Sequence, residues 1–193
     1  GFNIYNTANN HSGDYSQGGI LATIRHLQER DMIFSGTGKD LANASKPCYL
    51  ETKHARVALI SAASSFDISA MAGGQTADMP GRPGLNPLRF QTTYYVDAAH
   101  YEMVKELAMV TKINAEKEFS IRNGYSNPFE EGTMPFGSST FILGEENRIV
   151  SDPNETDMLR IESEIREAKK QADIVLVSLH AHETDTEDTT VPA

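Results

Sequence analysis

An α/β fold, with mixed sheets flanked by helices, is what this sequence predicts, and three observations carry the expectation. Strand-like and helix-like segments follow one another along most of the chain. The helical segments repeat their apolar residues every three to four positions, so each has one face that needs covering. The last apolar run, Ile174 to Leu179, is nearly unbroken, as in a parallel strand buried on both faces.

Taken in order, Phe2 to Ala8 reads as a strand and is followed by the polar turn NNHSGDYSQGG. A helix is expected from about Gly19 to Arg30, with Ile20, Ile24 and Leu27 on one face. Met32 to Ser35 reads as a short strand running into Gly36-Thr37-Gly38. A helical turn near Asp40 to Ala44 must end before Lys46-Pro47, because a residue preceding proline is pushed out of the helical region. Tyr49 to Thr52 and Arg56 to Ala62 form a hairpin-like pair of strands. From Ala62 to Leu88 the composition turns to Gly, Ser, Pro and Met, and GGQTADMPGRPGLNP is too rich in turn formers for a regular element.

Leu88 to Tyr95 is again strand-like. A helix is expected from Ala98 to about Glu118, where the row Met103, Leu107, Val110 and Asn114 lies beside Tyr101, Val104, Ala108 and Ala115. Ser139 to Leu143 reads as a strand. Asn154 is placed to cap a helix whose stripe is Met158, Ile161, Ile165, Ala168 and Ala172, with Lys169 and Lys170 at its negative end. The whole is expected to be one domain over residues 1–193 with an irregular loop insertion near 64–88.

Seventeen basic residues against 27 acidic ones give a net charge of −10, which argues against broad binding to nucleic acid. Hydrophobic content of 39% with 23% charged residues is ordinary for a globular domain, and no stretch approaches the roughly 20 apolar residues that span a bilayer. The single Cys48 cannot form a disulfide within the chain. Residue 1 opens an apolar run without an initiating Met, and the chain stops soon after its last strand, so the sequence reads as the interior of a longer polypeptide.

Two polar clusters lie just beyond strand carboxyl ends, the usual address for ligands in α/β sheets: Asn9-Asn10-His11 with Asp14, and His180 with His182 and Glu183. Brought together, they would supply imidazole nitrogen, amide oxygen and carboxylate oxygen, a set that suits Mn²⁺, Fe or Zn²⁺. If residues 180–182 stay extended, His180 and His182 point to the same side. Asn10 could offer an amide oxygen, while His11 could protonate a leaving group with Asp14 orienting its ring. The plainer readings are a backbone-capping Asn-Asn turn and a polar strand exit. Arg82 and Arg89 could fork hydrogen bonds onto carboxylate or phosphate oxygens of an anionic substrate, or serve a structural turn. Gly36-Thr37-Gly38-Lys39 lacks the full glycine spacing of a phosphate loop, and Asp40 stands where Ser or Thr would follow the lysine. The acidic run Asp185, Glu187 and Asp188 reads as a solvated segment.

These residues resemble the capsule-synthesis CapA family, also described as poly-gamma-glutamate synthesis proteins, within the calcineurin-like metallophosphoesterase superfamily. The resemblance is spread over GFNIYNTANNHSGDYSQGG, FSGTGKDLANASKP, VALISAASSF, GRPGLNPLR and ADIVLVSLHAHE. It implies a layered metallophosphoesterase-like fold of which this chain is an incomplete domain. The family's first, Asp-containing ligand block would precede Gly1, and its terminal His-containing block would follow Ala193.

Residue by residue, Asn10 resembles the metal-ligating Asn of a Gly-Asn-His motif, with Asn9 in place of Gly. His11 resembles the adjacent proton donor, Asp14 the acidic residue supporting it, and His180 the later metal-ligating His. His182 and Glu183 resemble the polar residues that follow, although His-Ala-His-Glu is shorter than the His-Trp-Gly-x-Glu of many members. The resemblance implies a divalent metal, Mn, Fe or Zn, and a metal-dependent phosphoesterase or amide hydrolase in capsule or poly-gamma-glutamate production. A noncatalytic polymer-binding or assembly component on the same scaffold is the other reading. The implied partners are an anionic polymer or a phosphorylated small substrate and a capsule-synthesis membrane complex, with no nucleic acid. The implied location is the cell envelope or the extracellular side of the membrane, with the cytoplasm left open.

Overall fold

The computed structural model describes residues 1–182. In chain order its elements are β1 (Ile4–Asn6), α1 (Ser16–Gln28), β2 (Ile33–Ser35), β3 (Thr37–Gly38), α2 (Leu41–Ser45), β4 (Cys48–Glu51), β5 (Arg56–Ala63), β6 (Gly84–Leu85), β7 (Phe90–Val96), α3 (Ala98–Thr111), α4 (Ala115–Arg122), β8 (Thr133–Phe136), β9 (Ser139–Leu143), β10 (Arg148–Pro153), α5 (Glu155–Ala168) and β11 (Ile174–His180). It is an α/β protein with mixed sheets, as the pattern predicts. None of the described helices is long and apolar enough to cross a membrane. The chain divides into two compact units, one built from Gly1–Arg89 and Pro153 onward, the other from Phe90–Asp152.

The first unit is organised around β5. This strand pairs in parallel with β11, from Ile174↔Val57 to His180↔Ala63, and antiparallel with β4, from Cys48↔Leu59 to Glu51↔Arg56. Its Ala58 and Ile60 meet Ala168 of α5 in a buried cluster that Tyr49, Ile165, Ala172 and Val175 border. The helix forms where expected because the Asn154 side chain accepts the Asp157 N–H at 3.1 Å and the apolar stripe then falls on one face. β1 and β2 pair in parallel, Ile4↔Ile33 to Asn6↔Ser35, and β3 pairs antiparallel with β6. A second buried cluster joins Ala8, Ala63, Ala70 and Leu85, with Phe66 against it.

Gly38 belongs to this packing. A Cβ there would stand 2.2 Å from the Ala44 backbone nitrogen, so only glycine lets β3 lie against α2.

β11 departs from expectation. Ile174, Leu176, Val177 and Leu179 are exposed, because among the described residues β5 is the one strand that pairs with β11, and α5 packing borders it at Val175. An apolar run records that a strand calls for cover on both faces; it does not record which segment supplies the second cover.

The second unit is a four-stranded sheet in the order β10-β7-β9-β8, with β7 parallel and β8 antiparallel to β9. Tyr94 and Phe141 stack across β7 and β9 with ring centroids 5.1 Å apart. The single helix expected over Ala98 to Glu118 is two. Lys112 adopts a left-handed conformation with φ 53°, and the buried Asn114 turns away to donate to Pro135 O at 2.7 Å and accept from Gly137 N at 3.1 Å. The row Tyr101, Val104 and Ala108 lies inward, whereas Met103, Leu107 and Val110 stay exposed.

Candidate functional site

The loop after β1 is fixed by side chains bonding back to the backbone. The Asn6 Oδ1 accepts the Ala8 N–H at 2.7 Å, and the Asn9 Oδ1 accepts the His11 N–H at 2.9 Å. Ser12 Oγ accepts the Asn9 N–H at 2.9 Å and donates to Thr7 O at 2.7 Å. Thr7 is anchored in turn on β2, where its Oγ1 donates to Ser35 O at 2.9 Å. The two asparagines therefore divide the roles left open in the sequence: Asn9 caps backbone, and Asn10 keeps its side chain for other contacts.

Those contacts lead to His11. Its Nδ1 lies 3.0 Å from Asp14 Oδ2, and its Nε2 lies 3.3 Å from the Asn10 Nδ2. A carboxylate at Nδ1 and an amide NH₂ at Nε2 favour the tautomer that carries its proton on Nδ1. The Asp14 contact fixes the ring through Nδ1 and leaves Nε2 on the side of Asn10. The ring is 74% exposed, so a substrate can reach it. Alongside, a groove of about 390 Å³ between the loop and α1 is lined by Asn9, His11, Ser12, Tyr15 and Thr23.

The second cluster leaves the end of β11. Ser64 donates its backbone N–H to His180 O at 2.9 Å, and His182 donates its own to Ser65 Oγ at 2.7 Å, which keeps the exit extended. The imidazoles of His180 and His182 stand side by side, with centroids 4.8 Å apart and planes tilted by 57°. His180 is half-buried and His182 exposed. Glu183, along with Asp185, Glu187 and Asp188, lies outside the described residues.

The strands bearing the two clusters are tied at one level. Asn6 is in register with Ser35, the Ser61 N–H donates to Ser35 Oγ at 3.2 Å, and Ser61 is in register with Ser178. Asn6 Nδ2 closes the circuit by donating to Ser178 Oγ at 2.9 Å. Two residues further along each chain, Ala8 sits in the same buried cluster as Ala63, and Ala63 is the register partner of His180.

Arg82 and Arg89 are both engaged by the chain. Arg82 Nε donates to Met71 O at 2.9 Å and its backbone bridges Gly73. Arg89 does fork onto a carboxylate, but onto Asp157: Nε to Oδ2 at 2.8 Å, Nη2 to Oδ1 at 3.0 Å, with the backbone N–H adding a third bond at 3.0 Å. Arg160 reaches the same carboxylate at 2.6 Å and donates to Asn86 and Pro87 O. Asp157 is 0% exposed; burial pushes its pKa up, but the Arg89 and Arg160 bonds outweigh that and hold it below its ordinary value. Asn86 and Arg160 did not stand out in the sequence, and Asp157 did so only as a weak reciprocal capping partner of Asn154. The pairing joins positions 68 residues apart, and only the helix-cap offset between Asn154 and Asp157 marks the place.

As a donor set, paired imidazoles and an amide oxygen fit a divalent cation of the Mn, Fe or Zn kind. Among the described residues, no group of three or more His, Cys, Asp and Glu side chains is gathered for a metal.

The family described as "Bacterial capsule synthesis protein PGA_cap" matches residues 1–191. Two relatives from Sinorhizobium fredii, named "Uncharacterized protein y4sH" and "Uncharacterized protein y4uA", are each 31% identical over 187 residues, covering 95% of this chain. The "Capsule biosynthesis protein CapA" of Bacillus anthracis is 32% identical over 87 residues, 45% of this chain and 20% of that protein. The chain spans 38% of the length of the two Sinorhizobium relatives.

Proposed function

The chain belongs to the bacterial capsule synthesis family, and from that membership we propose that it carries part of a metal-dependent hydrolase centre acting in capsule production. The observation that supports the reading best is the tie between the strands bearing the two clusters, Asn6 to Ser178, with Ala8 and His180 both flanking Ala63 beyond it. Asn10, His180 and His182 would hold the cation, which supplies positive charge to polarise an ester or amide oxygen.

The remaining work falls to the chain's own side chains. His11, oriented by Asp14, in its protonated form gives the Nε2 proton to the leaving oxygen or nitrogen as the bond breaks. The groove beside α1 receives the part of the substrate next to that bond. Asn9 and Ser12 keep the His11 backbone in place, so the donor does not have to be ordered during the reaction. The substrate on this reading is an anionic polymer or a phosphorylated small molecule, met at the cell envelope beside the other components of capsule assembly.

The test is metal analysis of the full-length protein together with turnover of phosphoesters and glutamyl polymers by the parent, His11→Ala and His180→Ala. Stoichiometric metal that falls with His180→Ala, and turnover that falls with His11→Ala at unchanged metal content, are expected. Polymer binding without metal-dependent turnover would make the chain an assembly component instead.

A further inference from the structure

The Gly36 to Lys39 segment, set aside above as a nucleotide loop, borders a second groove, on a neighbouring face of α1. Its volume is about 510 Å³, and its lining includes Arg25, Lys39 and Lys46 with no acidic residue. In a chain with 17 basic residues against 27 acidic ones, three cations gathered without a lining carboxylate stand out. We propose that this groove binds a polycarboxylate chain, with Arg25, Lys39 and Lys46 meeting carboxylates spaced along it. The choice of a chain as ligand rests on the capsule reading above; the cationic character of the groove does not.

The nearby carboxylates, Asp40 and Glu164, lie outside the groove lining. Asp40, whose charge Lys39 and Lys46 both feel, is buried and turned onto Asn43, accepting its backbone N–H at 2.7 Å and its side-chain amide at 2.8 Å. Glu164, whose charge Lys46 feels, lines a different cavity beside Arg160. Lys39 and Lys46 form no ion pair among the described residues, and the Arg25 contact to Glu29 is long, 3.9 Å, between exposed groups. Both lysines are exposed and, among the described residues, neither ammonium group is held in a direct ion pair, so each can turn to an incoming anion.

The backbone argues for spaced carboxylates over a compact phosphate. A phosphate cradle needs convergent backbone N–H groups at a glycine-rich turn. Here Thr37 and Gly38 pair with Leu85 and Gly84, and the space of the missing Gly38 side chain is filled by α2. What remains are point charges on flexible stems, which suit a ligand whose charges are spread along its length. Leu21, Ile24, Phe34 and Pro47 give the groove apolar lining on which the methylene groups of such a chain can rest.

The experiment is fluorescence anisotropy of dye-labelled poly-γ-glutamate on the full chain at low salt and at about 0.15 M salt. Lys39→Gln/Lys46→Gln should weaken binding about tenfold and flatten its salt dependence. Lys39→Arg/Lys46→Arg should retain binding. A matched double variant outside the groove, Lys169→Gln/Lys170→Gln, should change it less than about twofold. The assay reads binding alone, without turnover, so loss of the hydrolase reading would leave this result standing. Circular dichroism of each variant checks that it folds. Parent-like binding by Lys39→Gln/Lys46→Gln, or an equal loss in the matched control, would overturn the proposal. Competition by inorganic phosphate or polyphosphate as strong as by unlabelled polymer would overturn the assignment to carboxylates.

Discussion

Asn6 Nδ2 donates to Ser178 Oγ at 2.9 Å, joining residues 172 positions apart in the chain. The same Asn6 side chain accepts the Ala8 N–H, so one residue both fastens β1 to β11 and starts the turn that leads to His11. Asn6→Ala should lower stability by about 1 kcal/mol and Ser178→Ala by somewhat less, since a typical hydrogen bond contributes about 0.5–1.5 kcal/mol net. Urea unfolding of both single variants and the double variant should give a coupling of at least about 0.5 kcal/mol. Strict additivity would mean that the contact contributes nothing.

Removing the His11 imidazole takes away the proposed proton donor and leaves the proposed cation ligands in place. Turnover by His11→Ala should fall by about 10²–10⁴-fold with metal content unchanged. Asp14→Asn keeps the size of the side chain but weakens the hold on Nδ1, so a smaller loss, roughly tenfold or more, is expected.

Asp157 is buried between Arg89 and Arg160, and a carboxylate held by two guanidiniums is costly to neutralise. Asp157→Ala should destabilise by about 3 kcal/mol, toward the lower end for a broken buried pair because Arg89 is partly exposed. The pH dependence follows from a folded pKa below the ordinary 3.8: the contribution is complete above the unfolded value and is lost as pH falls through the folded one. Urea midpoints of the parent should drop more steeply below about pH 4 than those of Asp157→Asn. Parallel curves would show that this carboxylate does not drive the acid sensitivity.

Gly38→Ala tests packing against ligand cradling. A methyl group 2.2 Å from Ala44 N forces β3 and α2 apart, at a cost of about 1–3 kcal/mol. A thermal melt should show the loss with no ligand added; an unchanged melting temperature would mean that the close approach matters little.

Much of the first unit was legible. The α5 stripe, its Asn154 cap and the β4–β5 pair all depend on residues within a few positions of one another, so local spacing carries them. The neighbouring positions of Asn10, His11 and Asp14 were legible for the same reason. The break between α3 and α4 was not, since Lys112 has ordinary helix propensity and the cause is Asn114 bonding to the β8–β9 hairpin more than 20 residues on. Arg89 shows the same limit: a guanidinium beside prolines looks free until the fold delivers Asp157 to it.

The uncovered apolar residues of β11 make a surface expected to associate. Leu176→Thr/Leu179→Thr should reduce concentration-dependent self-association measured by light scattering, while altering unfolding free energy by no more than about 1 kcal/mol. Unaltered scattering would place the sticky surface elsewhere, for example on the exposed Met103, Leu107 and Val110 of α3.

The Asn154 N–H donates to Arg89 O at 2.7 Å, so the polypeptide departs from the first unit and rejoins it at adjoining points. The excursion from Phe90 to Asp152 is thus topologically a cassette: excising it and bridging the stumps with a short glycine-containing turn would not have to stretch the body it springs from. The same geometry makes this the place where the lineage could lengthen, shorten or exchange an appendage without disturbing either the Asn6 junction or His11.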